Sequence, residues 1–236
     1  MIETLKKMIS ESNKIVFFGG AGVSTESGIP DFRSVDGLYN QTYKYPPETI
    51  LSRTFFDRYP EEFYRFYRDK MICTSAKPNP AHEYLVKLEK EGKLSAIVTQ
   101  NIDNLHYLAG SKNVYELHGS VYRNYCMECG KAYGVEKIID ENNQNTIPRC
   151  ECGGIIKPDV VLYEEGLSDK TMMGAMKAIS ECNMLIIAGT SLAVYPAAGF
   201  INYYSGNKLV VINKSELNVD ADLVINEAVG EVFSKL

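Results

Sequence analysis

Twelve residues near the amino terminus, Lys14-Ile15-Val16-Phe17-Phe18-Gly19-Gly20-Ala21-Gly22-Val23-Ser24-Thr25, constrain the fold of this chain more than any other stretch. An apolar run stops abruptly at a glycine-rich loop of small residues. Such a run predicts a buried parallel strand that delivers the chain to a helix N-terminus. There, glycines let the backbone approach a phosphate and free N–H groups attract its charge. The loop points to a nucleotide without saying what happens to it, and a tight strand–helix turn with no ligand fits the same residues. Gly20-x-Gly22 lacks the third glycine of the dinucleotide fingerprint, with Thr25 in its place. No acidic residue ends a second strand about 20 positions on, as ribose recognition in a dehydrogenase requires.

The rest of the chain repeats the pattern. Short apolar runs at Ile15–Phe18, Leu94–Thr99, Val114–Leu117, Met184–Ala188, Leu209–Ile212 and Leu223–Ile225 read as buried strands. Helical patterns lie between several of them, at Ala81–Glu91, Lys170–Ser180 and Ala197–Tyr204, and the alternation predicts an α/β fold with a parallel sheet covered on both faces. Two segments break the alternation. Ser34–Pro80, rich in Tyr, Phe and Arg, reads as a loop plus a helix around Phe55–Lys70, and Ser120–Pro158 holds four cysteines and little core. The predicted organisation is a Rossmann-like nucleotide-binding domain from residues 1–33, 81–119 and 159–236. A helical insert (34–80) and a cysteine-bearing insert (120–158) form a smaller module.

At 236 residues and 45% apolar composition the chain can bury a proper core, and its net charge of −5 argues against a nucleic-acid binder driven by bulk charge. No run approaches the roughly 18 apolar residues of a membrane span. The amino terminus reads as an amphipathic helix, with Ile2, Leu5, Met8 and Ile9 on one face. It has no apolar signal core, so the expectation is a cytoplasmic protein. A monomer is also expected.

In open α/β sheets, ligands bind beyond the carboxyl ends of the strands. Gly20–Ser24 and Gly28-Ile29-Pro30-Asp31-Phe32-Arg33 follow the first predicted strand. Thr99-Gln100-Asn101-Ile102-Asp103 ends the second, His118-Gly119 the third, Gly189-Thr190-Ser191 the fourth and Asn213 the fifth. These groups should converge on one crevice. His82 reads as a surface or packing residue and His106 as a packing neighbour of the site. For His118, the strand-end position suits a general base and a core histidine equally.

Cys126-x-x-Cys129 and Cys150-x-Cys152 offer four thiolates on two loops, the donor set of a tetrahedral zinc site. Four protein ligands leave no open position, so the metal is expected to be structural, holding together an insert too small for its own core. Cys73 and Cys182 read as ordinary buried or half-buried thiols.

Taken together, Gly20-Ala21-Gly22-Val23-Ser24, Gly28-Ile29-Pro30-Asp31-Phe32-Arg33, Thr99-Gln100-Asn101-Ile102-Asp103, Leu117-His118-Gly119 and Gly189-Thr190-Ser191-Leu192, with four cysteines after the histidine, resemble the sirtuins. These are NAD-dependent protein lysine deacylases, and the likeness runs from about Lys14 to the C-terminus, closest to compact bacterial or archaeal members. The resemblance implies that Gly20, Ala21, Gly22, Ser24 and Thr25 cradle the NAD phosphates. It implies that Phe32 covers the face from which nicotinamide leaves and that Arg33 lies near phosphates and ribose. Asn101, Ile102 and Asp103 would line the nicotinamide pocket, Asp103 accepting from the carboxamide, and Gln100 would bond ribose hydroxyls. Gly189, Thr190 and Ser191 would hold the other side of the dinucleotide, and Asn213 the adenosine ribose. Val160, Val161, Tyr163 and Leu192 would contact the acyl-lysine substrate. Glu164-Glu165 and Ser191–Val194 would pair with its backbone as an added strand. His118 would deprotonate a ribose hydroxyl, and the products would be free lysine, nicotinamide and O-acyl-ADP-ribose.

Two departures stand out. The family often has Phe-Gly-Glu where this chain has Tyr163-Glu164-Glu165, which places a side chain beside the expected substrate strand. Desuccinylating members space a Tyr and an Arg three apart; here Tyr64 is followed at that spacing by Tyr67, which favours a neutral acyl group such as acetyl. Three other readings compete: a nicotinamide dehydrogenase, a zinc-ribbon nucleic-acid module, and a protein ADP-ribosyltransferase on the same fold. The second would need a basic face, but Lys131, Lys137 and Arg149 are offset by Glu128, Glu136, Asp140, Glu141 and Glu151.

Overall fold

A computed structural model of the chain describes residues 1–31, 37, 43–140 and 146–236. Phe32, Arg33 and Glu141, named above, lie outside the described residues. In chain order, α1 (Ile2–Ser10) leads to β1 (Ile15–Gly19), followed by α2 (Pro47–Ile50), α3 (Arg53–Arg58) and α4 (Pro60–Phe66). Then come α5 (Pro80–Lys90), β2 (Leu94–Thr99), α6 (Leu105–Ala109), β3 (Val114–Glu116), β4 (Asn124–Cys126) and β5 (Ala132–Tyr133). The chain continues through α7 (Glu136–Ile139), β6 (Ile156–Pro158), α8 (Asp169–Glu181), β7 (Met184–Ala188), β8 (Leu209–Ile212), β9 (Leu223–Ile225) and α9 (Val229–Ser234). No helix among the described residues is long and apolar enough to cross a membrane.

The six predicted strands form one sheet in the order β3-β2-β1-β7-β8-β9, with every pairing parallel. Strand order reverses between β1 and β7, which makes that junction the topological switch point. All five residues of β1 and of β7 are buried because both faces of the sheet are covered, so these strands read as unbroken apolar runs. One face packs Ile15, Phe17, Ile97 and Ile186 against Leu5 and Ile9 of α1, Leu85 and Leu88 of α5, and Val232 and Phe233 of α9. The other packs Val16, Phe18, Val98 and Ile187 against Ala175 and Ile179 of α8 and Phe200. Each large apolar side chain buried this way contributes about 1.5–3 kcal/mol.

The two inserts share one core. Phe55, Phe56, Phe63, Tyr64 and Tyr67 pack with Val121, Ile138, Ile156 and Val160. The small antiparallel sheet β5-β4-β6 therefore relies on the helical insert for most of its apolar partners.

Three expectations change. The helix around Phe55–Lys70 is two helices, α3 and α4, broken at Tyr59 (φ −135°), and it ends in a wider π-type turn at Tyr67–Met71. Pro60 lacks an N–H and disfavours helical backbone at the residue before it. Ala197–Tyr204 is a 3-10 stretch over Ala197–Tyr203. The loop after β1 enters two single 3-10 turns, Ala21–Val23 and Thr25–Ser27, in place of a regular helix. The latter ends at Gly28 with φ +84°, a conformation glycine adopts without a Cβ clash.

Candidate functional site

Backbone hydrogen bonds assemble the crevice at the switch point. Gly20 N–H donates to the Ala188 carbonyl, Gly22 N–H to Gly189, and Gln100 N–H to Gly19. The glycines allow this contact. A Cβ on Gly20 would lie 2.8 Å from Thr190 Cβ, and one on Gly22 would lie 2.8 Å from Gly189 Cα. Gly189 itself has φ +57° and would meet Val23 N at 2.4 Å. The glycines read as a phosphate cradle therefore first serve the close packing of two loops.

Three predicted residues then form a polar cluster in which Ser24 and Asn101 are buried and Asp103 is half-buried. The Ser24 hydroxyl donates to Asp103 Oδ2 at 2.6 Å and accepts from Asn101 Nδ2 at 3.0 Å. Asp103 Oδ1 accepts from the Leu105 N–H at 2.9 Å, at the start of α6. Burial pushes the Asp103 carboxyl above its ordinary pKa, and the bonds from Ser24, Leu105 and Asn101 pull it back. Asn101 is held in turn by its N–H donating to Thr99 Oγ1 at 3.0 Å.

His118 sits at the carboxyl end of β3. Its Nδ1 lies 2.9 Å from the Gln100 carbonyl oxygen. A carbonyl only accepts, so Nδ1 carries the proton and Nε2 of the neutral ring is left as the basic atom. Desolvation lowers the His118 pKa, opposed by that same carbonyl, and the ring is therefore uncharged at neutral pH. The Val161 N–H donates to the His118 carbonyl at 3.0 Å, which ties the histidine to the segment beyond β6. Gly119, at φ +75°, passes so close to Asp159 that a Cβ would meet its carbonyl oxygen at 2.1 Å.

Gln100 links the histidine to the β7 loop, its Oε1 lying 3.3 Å from Thr190 Oγ1. Its Nε2 is buried and has no partner among the described residues, a donor that a bound ribose hydroxyl would satisfy. Thr190 Oγ1 donates in that contact and accepts from the Leu192 N–H at 3.1 Å, and Leu192 stands at φ +51°. Ser191 is exposed beside them. Thr25 bonds locally to the Gly22 carbonyl, Ala21 is half-buried in the same loop, and Ile102 accepts at its carbonyl from Val121 N–H. Asn213 is buried at the end of β8, but its amide turns to Ser215 and makes no direct bond to the cluster. Val160 is buried in the insert core, Val161 is half-buried and Tyr163 exposed. Glu165 fastens this segment. Its carboxylate accepts from the Leu162 N–H at 2.9 Å, Lys157 Nζ at 3.0 Å and Arg53 at 3.2 Å.

Two residues escaped the sequence reading. Arg123 bridges Glu116 at 2.6 Å and Asp159 at 2.8 Å, clamping the end of β3 to the strand leaving the small module. No local pattern marks it. Asn79 caps α5 and also donates to the Val23 carbonyl at 2.8 Å, fixing the glycine loop from behind. The Asn-Pro pair before an apolar helical pattern was a readable signal for that cap. His82 and His106 are both buried, their rings 4.8 Å apart, and act as packing residues behind the site.

The four cysteines converge. Their sulfurs lie within 4.8 Å of one another, with Cys126–Cys152 at 3.4 Å and Cys129–Cys150 at 3.6 Å. Sulfurs around a tetrahedral zinc with bonds near 2.3 Å stand roughly 3.8 Å apart, so the donor set fits one structural Zn2+. The Tyr133 hydroxyl donates to Cys150 Sγ at 3.0 Å, and a Cβ on Gly154 would strike Cys126 Sγ at 2.7 Å.

Residues 20–196 match the Sir2 family. An NAD-dependent protein deacetylase of Clostridium acetobutylicum is 61% identical over 237 residues, covering 98% of this chain and 96% of the relative. A solved Sir2 structure with a deacetylated p53 peptide and 3′-O-acetyl ADP ribose superposes with a TM-score of 0.91 at 40% identity, covering 99% of this chain and 96% of the other. Another, of Sir2 with a p53 peptide and NAD+, has a TM-score of 0.88 at 40% identity and covers 100% and 96%. With the crevice, the histidine and the four-sulfur cluster in one fold, the chain belongs to the Sir2 family.

Proposed function

We propose that this protein is an NAD-dependent protein lysine deacylase, with acetyl as the favoured acyl group, acting on acylated-lysine proteins or peptides. NAD, acyl-lysine and one water give free lysine, nicotinamide and O-acyl-ADP-ribose, so NAD is a consumed co-substrate. The reading rests on one observation above all: His118 is locked by the Gln100 carbonyl with Nε2 unprotonated, in a crevice shared with the Ser24–Asp103–Asn101 cluster.

NAD supplies a glycosidic bond whose cleavage releases nicotinamide and opens ribose C1′ to the acyl oxygen. The protein's own groups do the rest. Asp103, kept ionised by Ser24, would accept from the nicotinamide carboxamide, and Asn101 would hold both in register. Gln100 Nε2 would bond a ribose hydroxyl. His118 Nε2 would take the hydroxyl proton, a transfer suited to a ring that is neutral at physiological pH. Gly20–Thr25 and Gly189–Ser191 would flank the dinucleotide, Asn213 would meet the adenosine ribose, and Phe32 and Arg33 would close the nicotinamide side. Val160, Val161, Tyr163 and Leu192 would line the substrate channel. We further assign residues 1–33, 81–119 and 159–236 to the NAD-binding domain, 34–80 to the helical insert and 120–158 to the zinc-binding insert. The shared apolar core of the two inserts supports that division. The free thiols of Cys73 and Cys182 fit action in a reducing cytoplasm, and a site built within one chain fits a monomer.

Mass spectrometry of products from a panel of acyl-lysine peptides with NAD tests the reading. Nicotinamide, O-acyl-ADP-ribose and free lysine in equal amounts are expected. ADP-ribosylated peptide with the acyl group retained would replace deacylation with ADP-ribosyl transfer.

A further inference from the structure

Leu162, Tyr163, Glu164 and Glu165 form a tight turn closed by the Glu165 N–H donating to the Leu162 carbonyl at 3.0 Å. Glu164, its third residue, has φ +77°, and Tyr163 is not among the residues of positive φ. That is a type II turn, whose third position favours glycine. One side of the turn is occupied. The Tyr163 N–H donates to the Leu51 carbonyl and its carbonyl accepts from the Arg53 N–H, both at 3.0 Å. Glu164 is left on the open side: neither its N–H nor its carbonyl has a partner among the described residues.

The Glu164 side chain bends back, and its Oε2 accepts the Thr54 N–H at 2.8 Å. Bonds to Thr54 hold the carboxyl below its ordinary pKa, so it is ionised at neutral pH. Its charge is exposed; beyond Thr54 it feels Arg58 at longer range, opposed by Asp57, and it forms no ion pair among the described residues. The other segment expected to border the substrate, Ser191–Val194, also contains a non-glycine residue at positive φ, Leu192 at +51°. Both segments hold a conformation that costs energy for a side-chain-bearing residue, a pattern found where backbone shape serves a ligand.

An extended peptide laid along the open Glu164 edge passes a carboxylate that Thr54 fixes in place and that no direct ion pair neutralises among the described residues, the nearby Arg58 being offset by Asp57. We infer that Glu164 is a specificity-determining residue that favours substrates carrying lysine or arginine beside the acylated lysine. The inference rests on the deacylase reading above. A glycine at this turn position would keep the backbone edge and offer no charge.

The test compares kcat/KM for two acetyl-lysine peptides that differ only in arginine or glutamine next to the acetyl-lysine. An exposed pair of opposite charges favours arginine by about two- to fivefold. That ratio should fall to about one in Glu164→Gln and in Glu164→Gly. Glutamine keeps an acceptor for the Thr54 N–H and glycine fits φ +77°, so both variants should fold. The wild-type ratio should also narrow as salt rises to about 0.5 M. A wild-type ratio near one, or a ratio unchanged in either variant, overturns the inference while deacylation stands. Absence of nicotinamide release from both peptides overturns the deacylase reading on which it stands.

Discussion

Replacing Ser24 with alanine removes one hydroxyl from the centre of the crevice and tests whether that hydroxyl keeps Asp103 charged. Ser24 is only 1% exposed and donates to Asp103 Oδ2 at 2.6 Å, with Asn101 as the opposite neighbour. Burial already pushes the Asp103 carboxyl up, and the Ser24 bond is the largest opposing influence. A hydrogen bond to a charged group is worth about 1.5–3 kcal/mol, with the lower half of that range fitting a carboxylate that is only half-buried. At about 1.4 kcal/mol per tenfold change in proton affinity, losing the bond moves the acidic limb of activity up by about one pH unit or slightly more. The assay is nicotinamide release with an acetyl-lysine peptide between about pH 4.5 and 8, read as kcat/KM for NAD, which reports groups of the free enzyme. His118 titrates in the same direction, but Ser24 does not bond it, so the difference between variant and wild type isolates Asp103. The same substitution should lower Tm by about 3–8 °C at neutral pH. That loss should shrink as pH falls through the Asp103 titration, because the protonated acid no longer needs the charge-assisted bond. Superimposable pH profiles for variant and wild type would refute the argument, because Asp103 would then owe its charge to Leu105 and Asn101 alone.

His118→Ala should leave Tm within a few degrees and reduce deacylation by several orders of magnitude, as measured by product mass spectrometry; normal turnover removes the base role. Chelation of zinc, or Cys126→Ser, should open residues 120–158 to proteolysis and abolish activity although no cysteine bonds the crevice. A chelated protein with unchanged Tm and rate would show that the four sulfurs need no metal. Burial depresses the folded pKa of His82 to about 4 and that of His106 well below its ordinary value. Their contribution to stability is therefore present above about pH 6.5 and lost as pH falls toward 4, because the unfolded chain takes up protons that the folded one refuses. Thermal melts from pH 7 to 4 should show that decline, with a shallower slope in His82→Gln; parallel slopes would place the acid sensitivity elsewhere.

The strands were legible because burial on both faces makes β1 and β7 continuous apolar runs and β2 and β8 nearly so, and apolar runs survive in one dimension. The zinc cluster was legible because each half comes from cysteines two or three positions apart. The helix around Phe55–Lys70 was misjudged because its aromatic positions look the same whether Pro60 kinks the helix or restarts it. Arg123 was invisible, since its two carboxylate partners, Glu116 and Asp159, come from different elements.

Local sequence alone determined the alternation of strands and helices, the thiolate pairs, and which strand ends carry polar groups. All of these depend on neighbours within a few residues. Tertiary structure decided the rest. It set Ser24 against Asp103 across 79 positions, gave His118 its tautomer through the Gln100 carbonyl, and spent the glycines at 20, 22 and 189 on each other before any phosphate. It also turned Glu164 into a glycine-like bend pinned to Thr54. These are contacts between segments distant in the chain, and their geometry exists only once the sheet has brought the strand ends together.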